Sequence, residues 1–556
     1  MSADLIFINA KVLTMDEAQP RAEAVAIAAG RILAVGSNSD VITRKGPATK
    51  VVDAGGRMLL PGFVESHLHL GLGGSELYDL QLGKVHGFDA LRDAFQAYAA
   101  ANPDLPFLMG QGADYAMIEG GVTRHDLDRI ISDRPIAMTS HDHHTIWANT
   151  LALQLSDTLN GYETSPGHEV VMGEDGLATG ELLEFEAFSR IVALAGRGRL
   201  NLGIATGGEP DPKPSQAERD QDKDQFEIGL KHCAKYGITS MVMMDGNRYT
   251  LECLRELQDE GRLIARVKVP FHYKPNMDHA QLDRAVEMTT SFNDEWLSSG
   301  FVKMFMDGVL DSGTAYMIND YPLIPGHKSV ALFPPEVFNP LAAEIDRRGL
   351  QIAVHAIGDG AVRTVIDGYE VAQLQNGKRD SRHRIEHIEL IDRADVPRLG
   401  VLGIVASLQP SHPPGAMDFG MEPTLTNIGA ARWPDAYLHK TLKENGAPIA
   451  YASDWAVTDV AVMRSVQAAV TRVPFSEDCT DERLSLEETL HAYTAGGAWA
   501  AHTDHITGRL VPGLAADLVL LQADPETVPP DQLGAVQVAL TICGGRVTYA
   551  AEGEAL

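Results

Sequence analysis

Apolar and polar positions alternate two by two through the first 55 residues, in "DLIFINAKVLTM", "AEAVAIAAGRILAVG" and "TKVVDAGGRMLLPG", with Gly, Asn and Asp between the runs. This period predicts short β-strands joined by turns. The same style returns at the far end, in "GRLVPGLAADLVLLQADP" and "VQVALTICGGRVTYAAEG". Neither end has strands enough to bury a sheet on both faces. Residues 1–58 and 506–556 are therefore expected to co-fold into one small β-sandwich domain. Across 59–505, runs rich in apolar, β-branched and aromatic residues alternate with helix-length amphipathic stretches. Eight such runs stand out: "FVESHLH", "GITSMVMMD", "RVKVPFHY", "FVKMFMDG", "QIAVHAIGD", "RHRIEHIEL", "GIVASLQPSH" and "PIAYASDW". Eight βα units predict an α/β fold of the (β/α)8 TIM-barrel type, with its chemistry at the C-terminal strand ends.

The interval between the first and second runs, 72–225, is too long for a loop. It carries strand-like runs of its own, "PFLMGQG" and "PIAMTSHD", and is expected to be an inserted subdomain. Its tail, "GGEPDPKPSQAERDQDKDQ", shows no period; within 203–225 a mobile lid and a solvated linker are equally good readings.

Composition changes this picture only by exclusion. With 556 residues, 44% hydrophobic and 22% charged, the chain suits a large folded enzyme. Its 46 Lys and Arg face 76 Asp and Glu, and the net charge of -30 repels polyanions. Nucleic acid and anionic membranes are thus disfavoured as partners, leaving a small-molecule substrate and, for an acidic enzyme, a homodimer. Cys233, Cys253, Cys479 and Cys543 are scattered, without a CxxC pair, and read as reduced thiols. The start of the sequence has no basic leader and no apolar run reaches 18 residues, so a cytoplasmic location is expected.

The strand ends carry the candidate chemistry. "LLPGFVESHLHLG" closes on His67 and His69, which point to one side of an extended segment. The corresponding ends of the other runs supply Lys303, His355, His387 and Asp454. Singly, each has an ordinary alternative, such as a hydrogen-bonded core histidine or a helix cap. Together they are ligand types for a borderline divalent ion, and such an ion lowers the pKa of a bound water from about 15.7 to about 7. Asp454 is the candidate catalytic residue, shuttling a proton from that water to a leaving group. Gln409 and His412, just past the seventh run, are candidates to bind substrate by donating to an oxyanion. Alternation places Glu386 opposite His387, as an ion-pair partner of Arg384 or Arg382. Asp359 is expected to hold the loop after His355.

The order HxH, Lys, His, His, Asp resembles the amidohydrolase superfamily. The phrases "LLPGFVESHLHL", "VKMFMDGVLDSGTA", "VHAIGD", "RHRIEHIEL", "SLQPSH", "ASDW" and "GRLVPGLAADLVLLQADP" are similar to its YtcJ-like branch, amidohydrolase family 3. The resemblance implies two divalent metals, zinc first, with manganese or iron as alternatives. His67, His69 and Asp454 would hold the more buried ion, His355 and His387 the more exposed one, and Lys303, as an N-carboxylate, would bridge them. It also implies substrate contacts from His144 and Trp147 in "HDHHTIWANT". Relatives often carry an arginine within the phrase matching "DGVLDSGTA"; here Asp311, Ser312 and Gly313 stand there, which points to a neutral or cationic substrate. The expected activity is hydrolysis of a carbon-nitrogen bond other than a peptide bond, foremost an N-acyl or N-formyl amide, by a metal-activated hydroxide. Deamination of a heterocycle, opening of a cyclic amide or lactone, and a non-catalytic scaffold are the alternatives.

Overall fold

Leu5 and Phe7 face one way from the strand Ala3–Ile8 and Ile6 faces the other, so the alternation in the sequence becomes two separate apolar clusters. In the computed structural model, residues 1–115, 117–140, 145–164, 169–196 and 198–554 are described. The fold is mixed α/β and divides into two units. Gly71–Leu202 with Glu209–Gly229 form one, and the rest of the chain forms the other.

In the larger unit the chain ends share a sheet. Strand Met58–Pro61 lies between Leu518–Leu521, antiparallel, and Lys11–Leu13, parallel. Leu5, Phe7, Val25 and Ile27 of a four-stranded sheet pack into one core with Val12, Leu59, Leu518, Leu520 and Leu540 of this six-stranded one. Each such side chain stabilises by roughly 1.5–3 kcal/mol on burial.

Each of the eight runs contains a strand, and all pair in parallel. They lie in two sheets and not in one continuous ladder. One break falls in the third run at Pro270, which has no N–H to donate. Arg266–Lys268 pairs with Ile238–Met243, and Phe271–His272 pairs with Phe301–Phe305. The other break separates the first strand, Phe63–Leu68, from the eighth, Ile449–Tyr451. There the Val64 N–H donates to the Tyr493 carbonyl, and helix Ala495–Ala500 comes so near that a Cβ on Gly497 would sit 2.8 Å from Ser66 Oγ. Past the end of the eighth strand, Asp454 N donates to His67 O at 3.0 Å. Buried on both faces, Phe63–Leu68, Gln351–Ala356 and Arg384–His387 behave as strands of a covered parallel sheet.

The smaller unit holds a six-stranded sheet that includes Leu108–Ala113, Ile136–Ser140 and Thr145–Ala148. Met138 and Trp147 belong to one face's core, Ala137 and Ile146 to the other's. The polar tail is not without structure throughout: a helix runs Gln216–Lys235. Its period was hidden because a buried charge replaces an apolar residue. Asp222, fully buried, meets the Arg199 guanidinium at 2.9 Å through both oxygens.

All four cysteines are free, and among the described residues no helix is long and apolar enough to cross a membrane. The shared core of the chain ends yields a test. Leu520→Ala should cost about 2–5 kcal/mol, read as a lower urea midpoint with unchanged slope; a cost under roughly 1 kcal/mol would contradict a well-packed core there.

Candidate metal centre

The parallel strands deliver their end residues to one buried cluster. His67 Nε2 and His69 Nε2 lie 3.2 and 3.1 Å from Asp454 Oδ1, and that oxygen takes no hydrogen bond. Two imidazole nitrogens converging on one carboxylate oxygen is an arrangement that ligands of one ion can adopt. Asp454 is 5% exposed, and burial works against its charge. His67, then His69, nevertheless hold its carboxyl well below the usual carboxylate range.

His67 is oriented from behind. Its Nδ1 donates to Glu386 Oε2 at 2.7 Å, which leaves Nε2 with the lone pair. Glu386 is clamped by Arg384 at 2.7 and 2.9 Å, and Arg384 also donates to Ser66 O and Ser407 Oγ. Burial opposes the Glu386 charge, but Arg384 and His67 keep its carboxyl far below normal. Arg382 turns away to Asp380 and Asp504. The expected ion pair of Glu386 is thus made with Arg384, and Glu386 in addition reaches His67. His387 has φ 78° and Asp454 φ 61°, left-handed values uncommon for such residues and frequent where geometry is constrained by function.

His387 Nδ1 lies 2.9 Å from Gln409 Oε1, while the Gln409 amide nitrogen is buried without a partner. His412 Nδ1 lies 3.3 Å from Glu389 Oε1, and Tyr437 Oη holds the other Glu389 oxygen at 3.0 Å. The bare His412 Nε2 is 3.7 Å from Asp454 Oδ2. Two triplets of described residues thus bring ligand atoms within 4.8 Å of one another: His67, His69 and Asp454, and His387, His412 and Asp454. His412 is a ligand type that the strand-end reading had assigned to substrate alone. His355 stands beside His387, ring centroids 4.6 Å apart, but its Nε2 donates to Gly308 O at 3.0 Å. Burial, then Lys303, pushes the His355 imidazole down to about 3, so it is neutral.

Lys303 is 1% exposed with Nζ 4.9 Å from the Phe305 ring centroid. Among the described residues no carboxylate lies within ion-pair distance of it. Burial lowers its amine to about 8, with Glu386 and Asp454 opposing the shift. Two carboxyls missed by the strand-end reading brace the site. Asp307 accepts from the backbone N–H of Tyr316, Ile357 and Gly358, and Glu65 accepts from Ser453 beside Asp454. Burial raises these carboxyls to about 7 and about 8. Glu65 shares the two-residue period of His67 and His69, the signal that marked it. Asp359 accepts from Ile318 N at 2.8 Å and holds that loop. Trp147 lies in the apolar core of the smaller unit, edge-on to Tyr115, and His144 lies outside the described residues.

The family model described as "Amidohydrolase family" matches residues 50–549. The chain belongs to the amidohydrolase family. This amidohydrolase is 27% identical to the putative amidohydrolase YtcJ of Bacillus subtilis (strain 168), over 97% of this chain and 98% of that one. It is 24% identical to the N-substituted formamide deformylase of Arthrobacter pascens, over 99% of both. The fold of an uncharacterized metal-dependent hydrolase from Pyrococcus furiosus superposes with a TM-score of 0.74 at 24% identity, covering 95% of this chain and 99% of that one.

The clamp on Glu386 predicts a split effect. Glu386→Gln should leave Arg384 uncompensated and cost about 3–5 kcal/mol of stability, and zinc affinity should fall about 10- to 100-fold as His67 loses its orienting partner. Denaturation and competitive chelator titration measure the two; unchanged zinc affinity would refute the orienting role.

Proposed function

We propose that this amidohydrolase hydrolyses carbon-nitrogen bonds other than peptide bonds, N-acyl or N-formyl amides foremost, at the His67, His69 and Asp454 cluster. The observation that carries this reading is Asp454 Oδ1, buried, without a hydrogen bond, and met by two imidazole nitrogens at 3.1 and 3.2 Å. The similarity to the N-substituted formamide deformylase along nearly the whole chain supports the substrate class. We read the two parallel arcs as a (β/α)8 barrel, supported by the Asp454 N to His67 O bond linking the eighth strand's end to the first.

His67, His69 and Asp454 would hold one divalent ion, and His355 and His387, with Lys303 between, a second; zinc suits imidazole and carboxylate, and manganese or iron are alternatives. Such ions would supply Lewis acidity and lower the pKa of a water to about 7. Asp454 accepts the proton of the attacking water and returns it to the departing amine nitrogen as the C–N bond breaks. The Gln409 amide, with no partner of its own, donates to the carbonyl oxygen as it gains charge. A substrate contact from His412 belongs to the same proposal, as does a small neutral or cationic substrate. Four free thiols favour a cytoplasmic setting.

Lys303 is assigned as an N-carboxylate. Buried, with its amine near 8 and no carboxylate paired to it among the described residues, it gains from exchanging a cation for an anion that ions can bridge. The Nζ lone pair of the neutral amine bonds to the carbon of carbon dioxide, one C=O pair moves to oxygen to give the carboxylate, and one N–H proton passes to a water molecule.

Stripping metal should abolish turnover of an N-formyl amine panel, and zinc or manganese should restore it; full activity in verified metal-free protein would end this reading. Asp454→Asn should lose about 10²- to 10⁴-fold in turnover while keeping most of its metal. Lys303→Ala should lose metal and activity together. One bound metal beside an unmodified Lys303 would favour the deaminase alternative.

A further inference from the structure

Strand Phe271–His272 ends at a histidine that the chemistry above leaves unused. His272 is the register partner of Lys303 on the neighbouring parallel strand. Register partners project to the same face, so imidazole and amine extend side by side. His272 is 2% exposed, and neither ring nitrogen makes a hydrogen bond. The Met244 carbonyl acts on the ring without completing one. Two unpaired nitrogens in a buried imidazole are costly, and such exceptions call for a function. Burial first, then Lys274, Lys303 and His69, holds this ring neutral, with one N–H and one lone pair.

We propose that His272 is the positioning residue for carboxylated Lys303, hydrogen-bonding the carbamate and setting its plane before ions bind. This rests on the carboxylation reading of Lys303. The carbamate has one Nζ–H donor and two accepting oxygens, so either tautomer of His272 finds a partner in it. The free amine lacks the oxygens, which accounts for a polar side chain kept unpaired beside an otherwise apolar lysine. Phe301 and Phe305 flank Lys303 on its own strand and offer the carbamate no hydrogen bond.

The test uses zinc-loaded full-length enzyme equilibrated with ¹³C-bicarbonate, reading the carbamate carbon by NMR, with Lys303→Ala as the blank. His272→Leu keeps the volume and removes both polar atoms. A merely structural histidine would give a variant at least as stable with an unchanged bicarbonate titration. The proposal expects half-maximal signal to need at least about tenfold more bicarbonate, zinc content to fall in parallel, and His272→Gln, which keeps a donor and an acceptor, to restore most of both. Wild-type titration in both variants would overturn the role of His272. No signal in wild type would instead remove the carboxylated lysine, and this inference with it.

Discussion

Everything in the centre depends on one buried carboxylate that keeps its charge. Asp454 is withdrawn from water and would ordinarily be driven neutral. Its charge is favoured by the two imidazoles beside it, His67 first and then His69, whose Nε2 atoms lie 3.2 and 3.1 Å from Oδ1. A site with such a charge and bare nitrogens is a poor place for an empty core and a good one for a cation.

The cost of that arrangement is spread outward through neighbouring strands. Arg384 neutralises Glu386, Glu386 fixes His67, and His67 presents its lone pair to the Asp454 side. Parallel strands make this possible, since adjacent ends lie side by side and each contributes one polar residue while its apolar neighbours are buried on both faces. Asp307 and Glu65 do the same work for the loops, accepting backbone N–H groups around His355 and Asp454.

His67, His69, His355, His387 and Asp454 could be picked out as candidates because each stands near or just past the end of a run with a clear two-residue or apolar signature, whereas Lys303 lies at the centre of Phe301–Phe305. Eight strands were legible for the same reason, whereas their division into two sheets was not: it turns on Pro270 and on the close approach of Gly497 to the first strand. The pairing of Glu386 with Arg384 was legible from their two-residue spacing, whereas its contact with His67 was not, since it joins strands far apart in the sequence. Helix Gln216–Lys235 escaped notice because the buried pair of Asp222 and Arg199 stands where apolar periodicity would have marked a face. His272 was invisible as chemistry because only the register with Lys303 gives it a neighbour.

The most direct measurement is anomalous diffraction at the zinc edge from a crystal grown with zinc. The account predicts a peak about 2.0–2.2 Å from His67 Nε2, His69 Nε2 and Asp454 Oδ1 together. A fully occupied zinc bound elsewhere, with those three atoms bridged by water or hydrogen-bonded to one another, would contradict it.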